Sequence, residues 1–135
     1  MLAWSMTNDS ADLARVLDEV DERLAPLPLS PKRKYAVRLA LDELLSNVIH
    51  HAYDDAAVHR IDLQLEPGEP FFLTIADDGK PFDPTADAPP PVLDGPVEDR
   101  PIGGLGLHLL AQMGMRLSYR REAGRNLVRV DFPEA

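Results

Sequence analysis

Three short stretches of this sequence bring together residue types that could do chemistry. In "LDELLSNVIHHAY" (residues 41–53), Glu43 and Asn47 stand four apart, with His51 another four on. On a helix, at about 100° per residue, these positions form one stripe. A carboxylate and an amide so placed point into a common space, and an imidazole one turn further can meet a phosphate oxygen. In "PIGGLGLHL" (101–109), Gly103, Gly104 and Gly106 open an apolar, helix-like run through Leu105 and Leu107. Such a run offers bare backbone N–H groups at a helix start, where the macrodipole favours an anion and a missing Cβ allows close approach. In "IADDGKPFDP" (75–84), Asp77 sits where a strand runs out, with Gly79 two residues on. The chemistry these residue types suit together is the binding of an anionic ligand.

Each stretch also has a plainer reading. Glu43 and Asn47 could be a solvated helix face, but such faces usually carry Lys or Arg, and none occurs from Leu39 to His59. His51 could be an ordinary residue at a helix end, and Asp-Gly after a strand is first of all a turn signal. The glycines could serve close packing at a helix start. Several sharper alternatives are excluded. "GGLGLHLL" lacks the Gly-Lys-Ser/Thr of a phosphate-binding loop, and as a dinucleotide fingerprint it follows a loop and has Leu109 at the third glycine position. His50 and His51 are adjacent and diverge on a helix, and the chain has no cysteine, so a structural zinc is not expected.

The elements that must position these residues can be read from periodicity. Residues 1–6 suit a short edge strand. Ser10 is expected to cap a helix to about residue 25, whose Leu13, Val16, Leu17, Val20 and Leu24 recur at helical spacing. Ser30 as cap and Pro31 at the first position open a longer helix to about Tyr53, with Val37, Leu41, Leu44, Leu45, Val48 and Ala52 on its core face. "HRIDLQLE" and "FFLTIAD" alternate as paired strands across "PGEP". Residues 79–101 hold seven of the 13 prolines and read as a loop. A third helix is expected from about Gly104 to Met113, then a closing hairpin of "MRLSYRRE" and "NLVRVDFP" joined at "AGR". A loop this long in a small domain is either functional or disordered.

At 135 residues, 44% hydrophobic and 27% charged, the chain is expected to be a single soluble domain over residues 1–135. No apolar run approaches the roughly 20 residues of a membrane span, and the N-terminal stretch does not resemble a secretion signal. No membrane partner is expected, and the absence of cysteine fits a cytoplasmic location. The net charge of −9 opposes nucleic acid as a partner. It leaves a nucleotide open, because backbone N–H groups and a bound cation neutralise a small anion locally.

In order and spacing, "LDELLSNVIHHAY", "ADDGKPFDP" and "PIGGLGLHL", separated by a hairpin and a proline-rich loop, resemble the Bergerat-type ATPases of gyrase, histidine kinases and mismatch-repair proteins. The resemblance extends over nearly the whole chain and is closest to the bacterial anti-sigma-factor serine/threonine kinases. It implies an α/β two-layer sandwich, a mixed, mainly antiparallel sheet with three helices on one face. It also implies ATP and Mg²⁺ as cofactors. Carried over residue by residue, it makes Glu43 the general base, Asn47 the Mg²⁺ ligand and His51 a neighbour of the phosphates. Asp77 then receives the adenine amino group and Gly79 lets the backbone pass close to the base. Gly104 and Gly106, with Leu105 and Leu107, wrap the phosphates, Gly103 serves as a hinge, and about 80–103 is the ATP lid.

The implied function is a serine/threonine kinase acting on a small antagonist protein of the STAS type. A sigma factor as a second partner and a homodimer are further expectations. An ATP-gated module that transfers no phosphate, and a detached histidine-kinase catalytic domain, are the alternatives. The chain departs from the broader superfamily at Pro81, which stands at the final glycine of the first glycine box. "GKPFDP" is similar to the variant common among anti-sigma kinases and stiffens the start of the lid.

Overall fold

The computed structural model describes residues 1–86 and 105–133. Its elements are β1 (Leu2–Thr7), α1 (Ser10–Leu24), α2 (Pro31–His51), β2 (Arg60–Glu66), β3 (Phe72–Asp77), α3 (Leu105–Gln112), β4 (Arg116–Glu122) and β5 (Arg125–Asp131). The strands form one sheet in the order β1-β2-β3-β5-β4, so the chain leaves β3, passes through α3 to the far edge, and returns to insert β5. Every described pairing is antiparallel. The two-layer α/β arrangement is as expected, but the parallel pairing implied by "mixed" is absent among the described strands. Alternation along a strand fixes which side chains face the core and says nothing about which strand lies beside it.

The strands alternate as half-buried strands must. Leu73, Ile75 and Asp77 of β3 face inward, as do Asn126, Val128 and Val130 of β5. The helices cover this face. Their apolar residues join the inward strand residues in one core, which includes Val16 and Val20 of α1, Val37, Leu41, Leu44, Leu45 and Val48 of α2, and Leu110 of α3. Each large side chain so buried contributes roughly 1.5–3 kcal/mol relative to exposure. The opposite sheet face has no helix over it among the described residues and carries charge pairs such as Arg125 with Asp62 at 2.9 Å.

Helix α2 is the structural axis of the molecule. Ser30 caps it, its side chain accepting from the Arg33 N–H, and Pro31 occupies the first turn, both as the sequence indicates. The cap of α1 differs from expectation. Asp9, not Ser10, is the N-cap, and its carboxylate accepts from the Ala11 N–H at 2.8 Å. Both residues are competent caps; the carboxylate adds a favourable interaction with the helix dipole. Arg33, buried at the start of α2, ties this end of the layer together, donating to the Glu69 carboxylate at 2.9 Å and to the Pro133 carbonyl at 2.6 Å.

Candidate functional site

Glu43 and Asn47 share a stripe of α2 flanked by buried Ala40. The helix spacing alone puts them there, and tertiary packing then encloses them: Asn47 is only 4% exposed and Glu43 is half-buried. Glu43 Oε2 and Asn47 Nδ2 are both buried without a hydrogen-bond partner among the described residues. Burial, and secondarily the adjacent Asp42 carboxylate, pushes the Glu43 carboxyl above its ordinary range. A solvated helix face, the plainer reading of this stripe, is thereby excluded.

Helix α3 closes over this pair. Gly106 is buried directly against Glu43; a Cβ at that position would overlap Glu43 Cγ, Cδ and Oε1. The glycine in the first turn of α3 therefore has a definite steric reason, which is to let the start of that helix lie on the Glu43 side chain. The first four N–H groups of a helix have no partner within it. Here they belong to Leu105, Gly106, Leu107 and His108. Gly103 and Gly104, to which phosphate wrapping and hinging were assigned, lie outside the described residues, as does most of the expected lid.

Asp77 ends β3 and is 1% exposed. Its Oδ1 accepts from the Gly79 N–H at 2.9 Å and from Asn126 Nδ2 at 2.9 Å. Among the described residues no hydrogen bond falls on Oδ2, which leaves one carboxylate oxygen for a ligand donor. Burial raises the Asp77 carboxyl from its ordinary range, and the Asn126 and Gly79 hydrogen bonds counter part of that shift. Gly79 packs against the end of α2. A Cβ there would lie 2.5 Å from the Ala52 carbonyl oxygen, which itself accepts from the Lys80 N–H at 2.8 Å. The glycine thus allows the loop after β3 to touch the end of α2, a packing reason beside the passage along a base expected from the resemblance.

Residues 80–86, the described start of the expected lid, are seated on the fold. Phe82 is buried and stacks on His51, with ring centroids 5.3 Å apart and planes 14° from parallel. His51, four residues after Asn47, is therefore held by the ring of Phe82. The Phe82 N–H donates to Asn126 Oδ1 at 3.2 Å. The same oxygen accepts from the Tyr119 hydroxyl at 2.6 Å and from Arg121 at 3.1 Å, and Asn126 Nδ2 also donates to the Lys80 carbonyl at 2.8 Å. Arg121 additionally donates to the Gly79 carbonyl at 2.6 Å.

Asn126, Arg121 and Tyr119 were missed at the sequence level. One signal was available. Asn126 occupies an inward position in register with Val128 and Val130, and a polar residue on the apolar face of a strand has to be bonded to something buried.

Glu43, Asn47 and His51 thus run along one stripe of α2, with Gly106 of α3 against Glu43 at one end and Gly79, hydrogen-bonded to Asp77, against Ala52 at the other. Among the described residues no cluster of three or more His, Asp or Glu could hold a metal by itself. A cation here would rest on an Asn47 amide oxygen together with oxygens of a ligand and water, the pattern Mg²⁺ favours. The oxygen donors present fit such an ion. No helix among the described residues is long and apolar enough to cross a membrane.

The chain is similar to several known proteins. A family model described as "Histidine kinase-like ATPase domain" matches residues 6–132. Serine/threonine-protein kinase BtrW of Bordetella bronchiseptica is 35% identical over 98 residues, 72% of this chain and 68% of the relative. Among solved structures, the histidine kinase domain of the Erythrobacter litoralis blue-light activated histidine kinase superposes with a TM-score of 0.57 at 22% identity, covering 91% of this chain and 59% of that one. A longer form of the same kinase gives 0.59 at 22% identity, with 91% of this chain and 41% of that one covered. The chain therefore spans less than two thirds of these structural relatives, and at that identity the likeness speaks to fold.

Proposed function

The chain belongs to the histidine kinase-like ATPase family, and from that premise we propose that it is a Mg·ATP-dependent serine/threonine protein kinase of the cytoplasm. Its substrate is a small antagonist protein of the STAS type, and when that antagonist is absent it sequesters a sigma factor. An ATPase domain of this family binds ATP; the choice of acceptor is the step we add. The observation that carries it is the Glu43 carboxylate, enclosed beneath Gly106 with an unpartnered oxygen and a raised pKa. The 35% identity to a serine/threonine-protein kinase supports the same reading.

In this account each residue has a separate task. Asp77 Oδ2 accepts from the adenine amino group; guanine presents a carbonyl there, so a buried carboxylate discriminates against it. The N–H groups at the start of α3 face the phosphates, and Asn47 offers its amide oxygen to the cation. Mg²⁺, when bound, neutralises charge on the phosphate oxygens. Glu43 takes the proton of the incoming serine or threonine hydroxyl as that oxygen bonds to the γ-phosphorus and ADP leaves with the electron pair of the broken bond. Burial, with the adjacent Asp42 carboxylate, raises the Glu43 carboxyl above its ordinary range, the direction that strengthens a general base.

Incubation with labelled ATP and candidate antagonist proteins tests the proposal. Phosphoserine or phosphothreonine on the antagonist is the expected product. Nucleotide-dependent binding without label would make the chain an ATP-gated module, and phosphohistidine on a partner would make it a detached histidine-kinase catalytic domain.

A further inference from the structure

Among the described residues only three buried side-chain polar atoms have no hydrogen-bond partner: Glu43 Oε2, Asn47 Nδ2 and the Tyr53 hydroxyl. Leaving such an atom unpaired costs about 1–3 kcal/mol, and native structures tolerate it mainly where a ligand or water completes the set. Two of the three are already assigned to the reacting end of the cleft. The third has no assignment.

Tyr53 lies just past the end of α2, ten residues beyond Glu43, or roughly 15 Å along the helix axis. That distance puts it at the opposite end of the cleft, where the adjacent Ala52 meets Gly79 and Lys80. Ala52, the residue before it, packs against Gly79, whose N–H donates to Asp77. The ring is fixed in place. It stacks on His59 at 4.2 Å, 17° from parallel, and His59 is held between Asp55 at 2.7 Å and Asp78 at 3.1 Å. Burial first, then the nearby carboxylates, push the phenol above its usual range, so the hydroxyl keeps its proton and remains a donor.

We propose that the Tyr53 hydroxyl is a second base-recognition group, donating to a ring nitrogen that flanks the amino group received by Asp77. This rests on the cleft being an adenine-nucleotide site. Adenine offers an acceptor nitrogen on each side of its amine, so a carboxylate and a neutral donor placed together read a donor–acceptor pair that no single group can. Tyr53 would thereby tighten selection for adenine beyond what Asp77 provides.

The test is calorimetric titration of the full chain and of Tyr53→Phe with Mg·ATP and with two analogues, in which N1 or N7 of the base is replaced by CH, alongside thermal melting without nucleotide. Tyr53→Phe is expected to bind ATP ~5-fold more weakly and to melt no lower than wild type. The deficit should vanish on one of the two analogues. Equal ATP affinity of variant and wild type overturns the proposal, and so does a lowered melting temperature with unchanged affinity, which would assign the hydroxyl to an internal water. A deficit that persists on both analogues overturns the ring-nitrogen contact. If wild type binds no ATP, the nucleotide reading itself falls, and this inference with it.

Discussion

The two ends of the cleft are built on opposite principles. Around Asp77 nearly every polar group is paired: Asn126 alone serves Asp77, Lys80, Phe82, Tyr119 and Arg121. Around Glu43 and Asn47 the protein leaves buried polar atoms unsatisfied and brings the bare backbone of Gly106 against Glu43. The first end is largely paired before any ligand arrives, with only Asp77 Oδ2 and the Tyr53 hydroxyl left open among the described residues; at the second, each of the two polar side chains keeps a buried atom unpaired. On the proposed function, the contrast makes recognition and transfer separable. A base can be read by a rigid, largely paired network that keeps one or two groups open, whereas phosphoryl transfer needs groups whose bonding is deferred until charge develops.

Substitutions that respect or violate this division sharpen it. The largest effect is expected at the unsatisfied end. Glu43→Gln should lower phosphoryl transfer by ~10²- to 10⁴-fold with ATP affinity kept, read by single-turnover labelling beside calorimetry. A parallel loss of affinity would mean the ends are not separable. At the saturated end, Asn126→Ala strips five partners at once and should cost roughly 3 kcal/mol of stability, seen as a fall in the denaturant midpoint. A smaller loss, about 1–3 kcal/mol, is expected for Gly79→Ala, because its new methyl meets the Ala52 backbone, which cannot turn aside. Gly106→Ala meets only a flexible side chain. It should leave the fold intact, displace Glu43 and reproduce the Glu43→Gln transfer defect.

The smallest expected effect is a pH dependence of stability. Glu43 has a folded pKa above its ordinary 4.5. Its contribution is therefore fully present below that value and is lost as pH rises through the raised one. Glu43→Gln should melt like wild type near pH 4 and gain on it as the pH is raised. A gain that shrinks toward neutral pH would contradict the burial of that carboxylate.

Much of this was legible in the sequence. The periodicity of α2 identified its core face correctly at Val37, Leu41, Leu44, Leu45, Val48 and Ala52, because the helical period is set by the backbone and the buried stripe is broad. Ser30 and Pro31 marked its start for equally local reasons. What was not legible depends on neighbours distant in the chain. Asn126 meets Asp77 only because β5 inserts beside β3, and no property of either strand specifies that order. The choice between Asp9 and Ser10 as cap turned on a local geometry that two competent residues could each satisfy. The plainer reading of Glu43 and Asn47 failed because enclosure by α3 comes from packing, which the spacing on α2 does not contain. Gly79, which the resemblance makes the place where the backbone passes close to a base, also touches the end of α2, a contact visible only once β3 and α2 are side by side.

In the proposed function Asp77, Asn47 and the start of α3 converge on one adenine nucleotide. Titrating Mg·ATP into the wild-type chain and into Asp77→Asn tests it most directly. Wild type should bind, and Asp77→Asn should bind roughly 10-fold to 100-fold more weakly, as expected for losing a hydrogen bond to a charged group. No heat from wild type at millimolar nucleotide, or equal affinity in the two proteins, would contradict the account.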